Sequence, residues 1–152
     1  MVSAAQLPLV SRPKLEKKYT IEQYIRREEK SINKHEYHAG KIILRKIINS
    51  KRSRLAAKIL SLIRNFVDKE KLDFITLDSN IKIKIESADE IIYPDGCVFF
   101  SKISIFDETK TTLLNPILVV EVLQPLKINN FRSSKFETYR TIPSFREYVL
   151  VD

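Results

Sequence analysis

The chain is poor in the residues that most often announce a specific chemistry. It has one cysteine, two glycines and two histidines in 152 residues. A single cysteine excludes an internal disulfide and fits a reducing, cytoplasmic setting. Cys97, inside the apolar stretch CVFF, reads as a small core residue. One cysteine with two histidines makes a structural zinc site a poor expectation. With only Gly40 and Gly96 there is no glycine-rich phosphate loop and no dinucleotide fingerprint. No apolar run reaches the ~18 residues that a spanning helix needs, so no membrane partner is expected. The first 18 residues lack the basic start and apolar run of a secretory signal and read as a flexible leader.

What is present is charge and apolar bulk. Charged residues make up 30% of the chain and hydrophobic ones 43%, enough for a soluble domain with a core. The net charge is +8, which favours a polyanionic partner without specifying a reaction.

Local patterns predict the elements. Thr20 and Gln23 have the spacing of a capping box, followed by a helix of about ten residues. Gly40 marks a turn, and the isoleucine-rich run Lys41–Ile48 reads as a strand. The longest helix opens at Ser50, with Leu55, Ile59, Leu62, Ile63 and Phe66 as its apolar stripe. Lys51, Arg52, Arg54 and Lys58 crowd its first turns, where positive charge opposes the helix dipole unless an anion lies nearby. They suit either a solvated face or a phosphate-facing surface. The alternation of Ile81, Ile83 and Ile85 with Lys82 and Lys84 predicts a half-exposed strand. IIYPDGCVFF reads as one strand interrupted at Pro94-Asp95-Gly96. The segment from Lys102 to Leu114 reads as a polar loop with room for a short helix or strand, NPILVVEVL as a third strand, roughly Ser133–Arg140 as a helix, and Phe145–Val151 as a last strand. Strands clustered in mid-chain, with helices before and after, predict an α+β domain with a mixed central sheet flanked by helices.

Glu121 is the anomaly in this pattern. It lies in an otherwise apolar strand, on the face of Val119 and Leu123. A carboxylate buried there without a partner would cost several kcal/mol. It faces solvent, pairs with a Lys or Arg, or holds a cation. Asp95 sharpens the choice, because Pro94 and Gly96 make its backbone irregular and an adjacent strand would bring it towards Glu121. Two carboxylates meeting at one point suit a hard divalent ion such as Mg2+ or Mn2+. Lys135, between Phe131 and Tyr139 on the expected helix, either points inward or snorkels outward. Glu36, in KHEYHAG, reads by itself as a surface carboxylate at the end of the first helical region. The flanking His35 and His38 read as surface or capping residues.

Four motifs in order, YTIEQYIRREE…KHEYHAGKI, YPDGCVFF, NPILVVEVLQP and KFETYRTIPSFREYVLVD, resemble the Uma-type restriction endonuclease family of the PD-(D/E)XK nuclease superfamily. The resemblance spans Tyr19 to Asp152. It implies a single nuclease domain over 19–152, shortened at its C-terminal end, and a Mg2+- or Mn2+-dependent endonuclease acting on nucleic acid, DNA in preference. Carried over by motif, Asp95 and Glu121 are the metal-holding acids. Glu36 would hold a second metal or a water linked to it. Lys135 replaces the lysine that the wider superfamily carries two residues after the second acid, where this chain has Leu123. Lys51, Arg52, Arg54 and Lys58 would then contact the phosphate backbone. A homodimer would suit cleavage of both strands. This chain has Gln124-Pro125-Leu126-Lys127 where the family often has Ser-Pro-Ser-Thr, and Arg52 where a histidine is common. A non-catalytic nucleic-acid-binding module with the same fold is the alternative expectation.

Overall fold

The computed structural model describes residues 17–45, 49–123 and 128–151, with only the backbone for 128–133. Residues 1–16 of the expected leader, residues 46–48 at the end of the expected Lys41–Ile48 strand, residues 124–127 and residue 152 lie outside the described residues.

Helix α1 (Ile21–Glu28) starts where its capping box predicts. Thr20 accepts from the Gln23 N–H, and Gln23 accepts from the Thr20 N–H. Tyr24 and Glu28, one turn apart, are its buried residues. Strands β1 (His35–His38) and β2 (Lys41–Leu44) form a hairpin closed by Ala39 and Gly40, both with positive φ. Such two-residue loops need that conformation to match the twist of the strands. Glu36 therefore lies on a strand and not at a helix end. The short polar HEYH run has little of the β-branched content that would have announced it.

Helix α2 (Ser50–Lys69) begins with Asn49 accepting from the Arg52 N–H. Its buried residues are Ala56, Leu60 and Val67, while Leu62 and Phe66 of the expected stripe are 61% and 58% exposed. The helix is rotated because small residues allow close approach to the sheet. A Cβ on Gly96 would come within 2.5 Å of the Leu60 side chain. Phe66 instead lines an open apolar groove of about 520 Å³ with Ile63, Leu72, Phe74, Phe100 and Leu118.

Strands β3 (Phe74–Asp78), β4 (Lys82–Ile85), β5 (Glu90–Ile92), β6 (Gly96–Phe100), β7 (Thr112–Leu113), β8 (Leu118–Val122) and β9 (Glu147–Val151) follow, with α3 (Ile128–Tyr139) between the last two. They form two sheets, β2-β1-β5-β4-β7 and β3-β6-β8-β9, rather than one. Each is antiparallel apart from one parallel pair, β4 with β7 and β8 with β9. IIYPDGCVFF is accordingly two strands in different sheets. Proline has no N–H for a ladder, and the Asp95 N–H opens the new pairing on the Val120 carbonyl at 3.1 Å. Strand β3 was not anticipated from the sequence.

The main core joins both sheets. Ile83, Ile85, Ile92 and Leu113 from the first meet Cys97, Phe99 and Val119 from the second, with Tyr139 and Ile142. A fully buried isoleucine here stabilises the fold by about 2 kcal/mol. The β4 expectation is corrected: Lys82 and Lys84 are 4% and 5% exposed. The Lys102–Leu114 segment supplies β7 and covers them. Lys82 Nζ donates to Thr111 Oγ1 at 2.9 Å, and Lys84 Nζ pairs with Asp89 at 3.0 Å and lies over Phe106. Each lysine has a polar partner, which makes burial of the strand's second face tolerable.

Candidate active site

The Pro-Asp step that moves the chain between sheets also delivers the first acid. Gly96 pairs with Val120, so Asp95 stands opposite Glu121 where β6 begins beside β8. Both side chains are buried, at 1% exposure. Asp95 Oδ2 accepts from the Val122 N–H at 2.7 Å. A cleft of about 160 Å³ between α2 and the turn after β3, lined in part by Ser53, Asp78 and Ser79, opens on Asp95.

The two acids meet across one guanidinium. Arg52 Nη2 lies 2.7 Å from Asp95 Oδ2 and 3.6 Å from Glu121 Oε2, and Arg52 Nε donates to Asp95 Oδ2 at 3.0 Å. Arg45, just past β2, donates to Asp95 Oδ1 at 3.0 Å and stacks on Tyr93. Arg52, expected among the residues that face a phosphate backbone, here pairs with the protein's own acids. Its side chain is 14% exposed and turned inward, and the anion that relieves the unfavourable charge in the first turn of α2 belongs to the protein itself. Lys51, Arg54 and Lys58 are exposed.

Helix α3 closes the opposite side. Lys135 points inward, with Nζ 2.9 Å from Glu121 Oε1 and 3.9 Å from Glu36 Oε1. Tyr139 donates to Glu121 Oε1 at 3.2 Å. Glu36, on β1, also accepts from the Tyr93 N–H at 3.1 Å, and its Oε2 lies 3.5 Å from His38 Nε2. His38 Nδ1 in turn meets Glu90 at 3.0 Å. Asp95, Glu121, Lys135 and Glu36 thus come together from four elements. Sequence reasoning missed Arg45, His38 and Tyr139. Of the two glutamates beside His38, Glu36 is two residues away on β1 and Glu90 is distant in the chain, whereas Tyr139, one turn after Lys135, was accessible to spacing alone.

The electrostatics follow from this packing. Burial pushes the Glu121 carboxyl up, Lys135 opposes the push, and the charges of Asp95 and Glu36 add to it. Burial also works against the Lys135 ammonium, but Glu121 and Glu36 outweigh it and raise its pKa. Burial likewise opposes ionised Glu36, yet the His38 hydrogen bond, the Lys135 charge and the Tyr93 N–H hold it down at about 2. Hydrogen bonds to Glu36 and Glu90 lift the His38 imidazole to about 9 against the effect of burial. Burial raises the Cys97 thiol, which is fully enclosed, so a nucleophilic thiolate has no support.

The donor set suits a hard cation. Oε2 of Glu121 is buried and has no hydrogen-bond partner among the described residues, an expensive state that an ion would relieve. Oxygen donors from two carboxylates match the way Mg2+ is commonly held, with water and phosphate oxygens completing the shell. Among the described residues no group of three or more His, Cys, Asp or Glu side chains forms a ready metal cage.

Known proteins resemble this chain. A family model described as "Uma2: Putative restriction endonuclease" matches residues 21–152. The uncharacterized proteins sll1609 and slr1290 of Synechocystis sp. are 28% and 30% identical, each over 88% of this chain and over 74% and 68% of their own lengths. A crystal structure described as "a putative nuclease belonging to DUF820", from Anabaena variabilis, superposes with a TM-score of 0.62 at 19% identity. It covers 80% of this chain and 68% of the other, and it shares the restriction-endonuclease-like fold. Among the described residues no helix is long and apolar enough to cross a membrane. With its match running from the first helix to the last residue, the chain belongs to the Uma2 family of restriction-endonuclease-like proteins.

Proposed function

We propose that this protein is a divalent-metal-dependent endonuclease that hydrolyses phosphodiester bonds of nucleic acid, with DNA as the preferred substrate. The observation that carries the reading is the convergence of Asp95 and Glu121 on one buried point beside Lys135. Asp95 and Glu121 would hold Mg2+ or Mn2+. The chemistry supplied on binding is polarisation of the phosphodiester and a lowered pKa for the attacking water.

The chain's own residues do the rest. Lys135 stays protonated between Glu121 and Glu36 and can orient a water or meet charge developing on the phosphate. Glu36 acts through Lys135, whose ammonium it helps to fix, and His38 fixes Glu36. Tyr139 holds the Glu121 carboxylate in place. Exposed Lys51, Arg54 and Lys58 on α2 would meet the phosphate backbone and position it without reading sequence.

The test is a plasmid-nicking assay with Mg2+ or Mn2+, with chelator, and with Asp95→Ala and Glu121→Gln. Metal-dependent cleavage that both substitutions abolish supports the reading. Equal cleavage by all three proteins overturns it. One observation favours a second reading, a binding module without turnover: Arg45 and Arg52 already neutralise Asp95. That reading expects salt-sensitive DNA binding that chelator leaves unchanged, and no cleavage.

A further inference from the structure

Arg52 stands where the cation would stand. Among the described residues it is the side chain whose nitrogen approaches both Asp95 and Glu121, and Glu121 Oε2, which like Tyr148 Oη is buried without a hydrogen bond among the described residues, faces it at 3.6 Å. With His38 offset by Glu90, the carboxylates of Glu36, Asp95 and Glu121 are matched by Arg45, Arg52 and Lys135, so the cluster is balanced before any ion arrives. A dication added to a balanced buried cluster would leave uncompensated positive charge, which a low-dielectric site strongly disfavours. Departure of one resident cation would halve that excess.

The other two are held elsewhere as well. Arg45 also donates to the Pro94 carbonyl and stacks on Tyr93, and Lys135 is on Glu121 Oε1 and Glu36. Arg52's side-chain bonds go to the carboxylate of Asp95. It projects from the first turn of α2 beside exposed Lys51, so its side chain can swing outward while the helix stays in place.

We propose that Arg52 and a divalent cation are alternative occupants of the Asp95–Glu121 site. The guanidinium holds the two acids together in the metal-free protein, and metal entry expels it towards solvent. There it is free to meet a phosphate, so nucleic acid and metal favour each other's binding. The inference rests on the metal-binding reading above and adds to it a named competitor.

The experiment is Mn2+ titration of the whole chain without nucleic acid, followed by the EPR signal of free Mn2+. Arg52→Gln is expected to bind Mn2+ about tenfold tighter than wild type, because the competitor is gone. Arg54→Gln, which removes the same charge from the exposed face, is expected to change affinity by less than about twofold. Metal-free Arg52→Gln should melt lower than wild type and gain more from Mn2+. The added affinity should vanish in Arg52→Gln/Asp95→Asn. In wild type, the Arg52 Nε–H NMR signal should be protected from solvent exchange without metal and lose that protection on Mg2+ addition, a readout that needs no variant. Folded Arg52→Gln binding Mn2+ no tighter than wild type, with Asp95→Asn still abolishing binding, overturns the competition but leaves the metal site standing. Absence of Mn2+ binding in every protein overturns both.

Discussion

Glu28 and Glu121 are both buried glutamates that accept from a tyrosine hydroxyl, yet their surroundings differ in one respect. Glu28 has both oxygens engaged. Oε1 accepts from the His35 N–H at 2.8 Å and from Tyr93 at 2.9 Å, and Oε2 meets His35 Nδ1 at 3.0 Å. Glu121 has Lys135 and Tyr139 on Oε1 and no hydrogen bond on Oε2. A saturated buried carboxylate ties α1 to β1 and to Tyr93 just past β5 and has no valence left for a ligand. An unsaturated one is costly in the resting protein and is open to a cation. Buried acids of the first kind stabilise a fold, and those of the second kind trade stability for a site.

The contrast predicts a double dissociation. Glu121→Gln should lower the cleavage rate by about a thousandfold or more, because charge at the reacting centre is lost. Glu28→Gln should cut at close to the wild-type rate wherever it is folded. The nicking assay, run at a temperature where circular dichroism shows both variants folded, decides this, and equal losses would erase the distinction.

Stability should run the other way. Glu28→Gln puts an amide N–H where an acceptor is needed and should cost about 2 kcal/mol by urea unfolding. Burial raises the Glu121 carboxyl above its ordinary value, so at neutral pH its ionised form carries an energetic cost that glutamine removes. Glutamine also leaves the Lys135 ammonium with Glu36 as its carboxylate, which offsets part of that gain, so Glu121→Gln should lower metal-free stability by less than Glu28→Gln does. A larger loss for Glu121→Gln than for Glu28→Gln would reverse the assignment.

Gly96 tests how the site is held. Adding a methyl there presses on Leu60 of α2, the helix that carries Arg52. Gly96→Ala should cost about 1 kcal/mol and loosen Mn2+ affinity only slightly. A melting temperature unchanged from wild type would show that the approach of α2 is slack.

The last test concerns pH. His38 rises to about 9 in the folded protein from an ordinary value near 6.5. Its contribution is complete below the lower value and is lost as pH rises through about 9. Glu36, held at about 2, contributes above its ordinary value of 4.5 and loses that contribution as pH falls through about 2. The stability difference between wild type and His38→Gln should therefore be greatest near pH 6 and fade by pH 9. A difference that stays constant across that range would show that His38 packs but does not pair.

The elements that were legible in the sequence carried strong local signals. The capping box placed α1, the helical spacing placed α2, and the apolar run around Glu121 placed β8. Asp95 and Glu121 stood out because a carboxylate inside an apolar strand conflicts with its surroundings, and that conflict is local. What failed was whatever depends on a distant partner. Lys82 and Lys84 alternate like an exposed face, and only the segment bearing β7 buries them. Arg52 reads as surface charge until the β6–β8 pairing sets two carboxylates in front of it.

The amino-acid sequence by itself determined the helices, most of the strands, the excess of positive charge and the two acids at odds with their neighbours, since each follows from residues within a turn or two of one another. Tertiary structure alone decided that the strands divide into two sheets, that Glu36 and Lys135 join the acids, and that a guanidinium sits between Asp95 and Glu121. The physical reason is that charge compensation depends on distance in space, and residues 43 and 69 positions apart along the chain, Arg52 from Asp95 and from Glu121, share one nitrogen's reach only after the sheets have formed.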